Sequence, residues 1–118
     1  MPLVVKTVTF DAAHFLPNYK GPCHNLHGHH WEVQVGLWGP IDPVTGMVVD
    51  FKWVKKNLEF VQLLDHALVN DTIENPTAEN IAEWIKDRFL RETRLDWPEG
   101  LSLNFVRVWE TEDSYAEA

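Results

Sequence analysis

The chain has 118 residues, 45% of them hydrophobic and 24% charged, which suits one globular domain over residues 1–118. Eighteen acidic against ten basic side chains leave a formal charge of −8. That balance argues against nucleic acid held along a basic face and against an anionic membrane as partner.

No apolar run approaches the roughly 18 residues of a membrane span. The first residues, Met1-Pro2-Leu3-Val4-Val5-Lys6, lack a signal-peptide layout. A lone cysteine, Cys23, has no disulfide partner within the chain, so a reducing cytoplasm is the expected location. A chain this short buries a modest share of its surface, which makes contacts between subunits an expected part of its stability.

Residues 3–14 alternate as a half-buried strand does. Val4, Val8, Phe10, Ala12 and His14 share one side; Leu3, Val5, Thr7, Thr9 and Asp11 share the other. Pro17, Asn18, Gly21 and Pro22 mark a loop over 15–26. A second strand is expected over 27–38, with His29, Trp31, Val33, Val35 and Leu37 on one side. Turn residues fill 39–46, and Met47–Val49 read as a short returning strand, making 27–49 a hairpin.

Asp50 is placed to cap a helix over about 51–62, where Phe51, Val54, Leu58 and Val61 recur at helical spacing. A connecting segment, Leu64–Asp71, contains the neighbours Asp65 and His66. Thr77 is the expected N-cap of a second helix, with Ala78, Ile81, Ala82, Ile85 and Phe89 on its apolar face and an end near Arg91. After a loop at 96–100, Leu101–Glu110 reads as the last strand, and the acidic tail beyond Thr111 as loose. Strands joined by hairpins, with the helices grouped together, predict an α+β domain: an antiparallel sheet with both helices on one face.

The residues that carry chemistry are concentrated. Cys23, His24, His27 and His29 fall within seven residues, and His14 stands nine before Cys23. His27 and His29 are two apart on a strand and so point to one side. Gly28 between them removes bulk, and His14 can supply a third nitrogen from the end of the first strand. Three imidazoles with an open fourth position describe a catalytic zinc site. Against this stands the plainer reading of core or surface histidines. By parity His30 faces solvent, and His24 is a minor substitute for any of the three.

Cys23 has three readings: a fourth zinc ligand that closes the site, inert packing, or a base or nucleophile beside the metal. Asp65-His66 is a carboxylate–imidazole pair suited to carrying a proton, or a chance neighbour in a loop. Glu110, at the end of a strand, can accept hydrogen bonds from an amidine-like ligand edge, or is an ordinary strand-end carboxylate.

Taken together these residues resemble a known family. Phe10-Asp11-Ala12-Ala13-His14 and Cys23-x-x-x-His27-Gly28-His29 look like the 6-pyruvoyl-tetrahydropterin synthase superfamily. So do Val49-Asp50-Phe51, Leu64-Asp65-His66, Glu74–Asn80 and Glu110-Thr111, in order along nearly the whole chain. The three residues between cysteine and His-Gly-His resemble the bacterial 6-carboxy-tetrahydropterin synthases of the queuosine (7-deazapurine) pathway.

The resemblance implies Zn2+ on His14, His27 and His29, Cys23 as general base, Asp65 and His66 as proton relay, and Glu110 as the anchor of the pterin edge. It implies a lyase that converts 7,8-dihydroneopterin triphosphate to 6-carboxy-5,6,7,8-tetrahydropterin, releasing triphosphate and acetaldehyde. It further implies a tunnelling-type fold: a four-stranded antiparallel sheet with two helices on one face, sheets joining between subunits into a barrel. The homo-oligomer, a trimer or hexamer, would carry its active sites between subunits.

Two departures from the family pattern stand out. Pro22 occupies a position where many relatives have lysine, and the tail beyond Thr111 offers no evident phosphate-binding cation. Lys20, Lys52 and Arg107 are the candidate triphosphate contacts. Other readings are a 6-pyruvoyl-tetrahydropterin synthase, a dihydroneopterin side-chain-cleaving enzyme, and a non-catalytic zinc-binding module closed by Cys23.

Overall fold

The structure is a computed structural model and describes residues 1–93 and 95–118. Strand β1 (Leu3–His14) pairs antiparallel along its whole length with β2 (His27–Trp38), His14 lying directly opposite His27. Alternation decides which face is buried. Phe10, Ala12, His14, Trp31, Val33 and Val35 point under the helices, while Asp11 and His30 point outward and are exposed.

Both edges of β2 are taken, one by β1 and the other by β4 (Ser102–Thr111). That is why Met47–Val49 forms no strand and the expected 27–49 hairpin is absent: no edge of β2 is left for the chain to return along. Val49 is buried in the core without pairing.

Asp50 caps α1 (Phe51–Asn57) by accepting a hydrogen bond from the Lys52 amide at 2.8 Å. The helix is shorter than its apolar spacing suggested and continues as a 3-10 segment over Glu59–Leu64. Leu58, Val61 and Leu64 are all fully buried, and their three-residue spacing is the period of a 3-10 turn. Asn57 also bonds back to the Trp53 carbonyl at 2.8 Å, capping the helix end.

Within the connecting segment, β3 (Ala67–Leu68) pairs parallel with Ala12–Ala13. Thr77 caps α2 (Ala78–Thr93), its hydroxyl accepting from the Asn80 amide at 3.1 Å. Ile81, Ala82, Ile85 and Phe89 are buried against the sheet.

The acidic tail is ordered. Asp113 accepts from the Thr111 and Ser114 hydroxyls, both at 2.8 Å, and turns the chain into β5 (Ser114–Glu117), which pairs with β4. The architecture is α+β with helices on one face, as expected. Among the described residues the sheet has five strands rather than four, in the order β3-β1-β2-β4-β5, and one of its pairings is parallel. Among the described residues no helix is long and apolar enough to cross a membrane.

Candidate metal centre and active site

The β1–β2 register brings His14 and His27 together, and strand parity adds His29. One ring nitrogen from each of the three lies within 4.8 Å of the others. Each ring stands roughly edge-on to its neighbours, with centroids 4.5–5.2 Å apart. Trp31 backs the cluster at 4.9 Å from His14 and 5.3 Å from His29.

Carbonyl groups set the ring orientations. His14 Nδ1–H donates to the Pro76 carbonyl at 2.8 Å, and His27 Nδ1–H donates to the Asn25 carbonyl at 2.7 Å. Only a protonated Nδ1 can make these bonds, so in each neutral ring the Nε2 lone pair is left to face the cluster. The Nε2 atoms of His14 and His27 are 3.0 Å apart. Two lone pairs at that distance repel unless a proton or a cation lies between them.

A proton is disfavoured there. His14 is fully buried, and loss of hydration holds its pKa below the ordinary imidazole value; the Pro76 carbonyl and the Glu110 charge oppose this, while His27 and His29 reinforce it. His29 is lowered in the same way, by burial first, with Glu110 opposing and His27 adding to the effect.

His29 supplies a further sign. Its Nε2 is buried and makes no hydrogen bond among the described residues; Glu110 Oε1 stands 3.5 Å away. Three converging, neutral nitrogen donors, one of them orphaned, fit a resident zinc ion better than a hard cation such as magnesium.

The other expected site residues are placed as follows. Cys23 is half-buried in a 3-10 turn, Pro22–His24, and its sulfur is not among the converging donors. Glu110 continues the buried parity of Val106 and Val108 and stands at the edge of the histidine cluster. His24 is exposed and bonds the Leu16 carbonyl at 3.2 Å. Arg107 is engaged by Glu117 at 2.7 Å and stacks on the Phe105 ring at 4.0 Å.

Asp65 and His66 form a pair at the outer edge of β1, bonded to the Asp11 backbone. His66 Nδ1–H donates to Asp65 Oδ2 at 2.8 Å, which raises the His66 pKa. Asp65 Oδ1 accepts from the Asp11 amide at 2.8 Å, the main reason its own carboxyl is held below the usual range. The His66 amide in turn donates to the Asp11 carbonyl at 2.6 Å. His66 sits at φ 55, a left-handed conformation uncommon for a residue with a side chain.

His66 opens on a recess whose lining includes Asp11, Ala12, Gly28, His29, His30 and Leu68. Within one chain, His66 thus shares a recess with His29 but stands outside the set of converging nitrogen donors.

Two features of the site were not visible in the spacing of residues. One is the pair of carbonyls, Pro76 and Asn25, that orient the rings. The other is Asn70, whose side-chain amide clamps the Phe15 backbone through bonds of 3.0 and 2.9 Å directly after His14.

A family model described as 6-pyruvoyl tetrahydropterin synthase matches residues 3–118. The chain belongs to that family. It is 39% identical over 93 residues to a 6-carboxy-5,6,7,8-tetrahydropterin synthase of Synechocystis, covering 72% of each chain. It is 35% identical over 108 residues to a dihydroneopterin monophosphate aldolase of Pyrococcus furiosus, covering 91% of this chain and 88% of the other. Among solved structures, 6-pyruvoyl tetrahydropterin synthase from Caenorhabditis elegans superposes with a TM-score of 0.84 at 28% identity, covering 100% of this chain and 96% of the other.

Proposed function

We propose that this chain is a zinc-dependent 6-carboxy-5,6,7,8-tetrahydropterin synthase that converts 7,8-dihydroneopterin triphosphate with loss of triphosphate and acetaldehyde, acting in the cytoplasm on the queuosine route. The observation that carries the reading is the convergence of His14, His27 and His29, the outer nitrogens of His14 and His27 being fixed by carbonyls. Family membership and the Synechocystis relative supply the pterin chemistry.

His14, His27 and His29 would hold zinc, which when bound supplies a Lewis acid for the side-chain oxygens of the substrate. Cys23, in the loop before β2, takes a proton from the substrate side chain at its sulfur. His66 delivers or accepts a proton at Nε2, its ring oriented and its charged form favoured by Asp65. Glu110 accepts hydrogen bonds from the amidine-like edge of the pterin ring at its carboxylate oxygens.

Within one chain Asp65 and His66 lie outside the set of converging donors. A homo-oligomer in which sheets join edge to edge would bring His66 of one copy to the metal of another. The outer edge of β1 pairs with β3 at Ala12–Ala13 and is bonded by other groups at Asp11 and Thr9, and its earlier stretch from Leu3 to Val8 is suited to such joining.

The deciding experiment is incubation of zinc-loaded protein with dihydroneopterin triphosphate, followed by assay of acetaldehyde and triphosphate; absence of both overturns the reading. The Pyrococcus furiosus relative favours a second reading, side-chain cleavage of a dihydroneopterin phosphate. Mass spectrometry of the pterin product separates the two.

A further inference from the structure

The outward face of the β1–β2 ladder carries a second carboxylate–imidazole pair. Asp11 and His30 are directly opposite in the register, and His30 Nδ1–H donates to Asp11 Oδ1 at 2.7 Å. This pair is joined to the Asp65–His66 pair through one residue. Asp11 gives its amide hydrogen to Asp65, takes one at its carbonyl from the His66 amide, and accepts from His30 at its carboxylate. All three of its hydrogen-bonding groups are thus used to hold the two imidazoles in place. His30 and His66 line the same recess, of about 630 Å³, together with an apolar wall from Leu26, Ala67 and Leu68.

In both pairs the carboxylate takes Nδ1–H, so Nε2 is the atom offered to the recess. The ligand chemistry follows from what stands behind those atoms. Two carboxylates one bond behind the imidazoles disfavour an anionic ligand group at this point, and the chain carries a net −8 overall. A neutral hydroxyl suits it: it can donate to the Nε2 lone pair of a neutral imidazole and accept from the Nε2–H of a protonated one. The apolar wall accommodates the carbon chain that bears such hydroxyls.

We propose that His30, held by Asp11, is a side-chain-reading residue that hydrogen-bonds a hydroxyl of the polyol side chain of the pterin substrate beside His66. This deepens the function proposed above and rests on it. Asp11 thus has its backbone tied to Asp65 and the His66 amide and its carboxylate tied to His30, beside a residue held at a left-handed φ.

The test is equilibrium binding to zinc-loaded protein of two probes with the same ring: neopterin, which carries three side-chain hydroxyls, and 6-methylpterin, which carries none. Wild type is expected to prefer neopterin. His30→Ala is expected to lower neopterin affinity about tenfold, the factor for one hydrogen bond of about 1.4 kcal/mol, and to leave 6-methylpterin unchanged. His30→Gln, which keeps an acceptor, should recover part of the preference.

His30 is exposed, so these variants should fold; circular dichroism checks this. An unchanged preference in His30→Ala overturns the proposal and leaves the pterin reading intact. Equal loss of both probes also overturns it. If wild type binds neither probe, the pterin reading itself fails, and this inference with it.

Discussion

The Nε2 atoms of His14 and His27 face each other at 3.0 Å while the Nδ1 of each ring is turned to a backbone carbonyl. Without a cation this is an unfavourable meeting of lone pairs in a buried place; with one it is a preformed site. Zinc at about one hundred times its Kd should therefore stabilise the protein by about 2.7 kcal/mol, seen as a rise in Tm that a chelator reverses. His14→Ala and His27→Ala should each lose both the metal and the rise in Tm. A Tm indifferent to zinc in wild type would sink the assignment.

Cys23 lies outside the set of converging donors. Cys23→Ala is expected to retain stoichiometric zinc by elemental analysis and to lose turnover by at least about a hundredfold, the scale of a lost proton-transfer group. Loss of the metal instead would make Cys23 a ligand and the protein a closed, structural zinc module.

The metal-free protein should weaken in acid. His14 and His29 both have pKa values held below the ordinary 6.5, chiefly by burial. The unfolded chain takes up protons near 6.5 and the folded chain resists them, so stability is present above that pH and declines as pH falls through and below it. The slope is bounded by about 1.4 kcal/mol per pH unit for each ring. Urea unfolding between pH 7.5 and 5.5 measures it, and His29→Gln should flatten the decline; a level wild-type profile contradicts the account.

His66 behaves oppositely. Its hydrogen bond to Asp65 raises its pKa, with the Asp65 and Asp11 charges adding to the effect. Asp65→Asn should move the His66 titration, followed through its ring proton NMR signal, down toward 6.5. No movement would mean that Asp65 does not set the charge of this imidazole.

Gly36 lies under the Phe105 ring. A Cβ there would press into the ring and come within 2.7 Å of three of its carbons, and the Arg107 guanidinium stacks on the ring at 4.0 Å from the centroid. Phe105 is only 3% exposed and has little room to yield. Gly36→Ala should cost about 1–3 kcal/mol in urea unfolding; an unchanged midpoint would show that the ring moves freely.

Local pattern carried much of this fold. Parity alone placed Phe10, Ala12 and Trp31 inward, and Asp50 and Thr77 acted as caps where their side chains predicted it. What escaped depends on partners remote in sequence. Ala67–Leu68 is a strand only because Ala12–Ala13 offers it an edge. Met47–Val49 is not one because β2 has no edge left. The acidic tail shows no alternation of its own and is ordered by β4. At the site, spacing paired His27 with His29, but the carbonyl of Pro76 behind His14 has no sequence signature. Parity identified His30 as outward-facing; its tie to Asp11 required the register.

The bond from His14 to Pro76 spans 62 positions of the chain. The entropy of closing that loop has to be met before the first ring is aimed. A nascent or partly folded chain that has made only the β1–β2 ladder would hold three histidines near one another but not yet poised. Tight metal capture would then mark the end of folding rather than guide its start. The zinc content of a preparation would thus serve as a count of molecules that have finished.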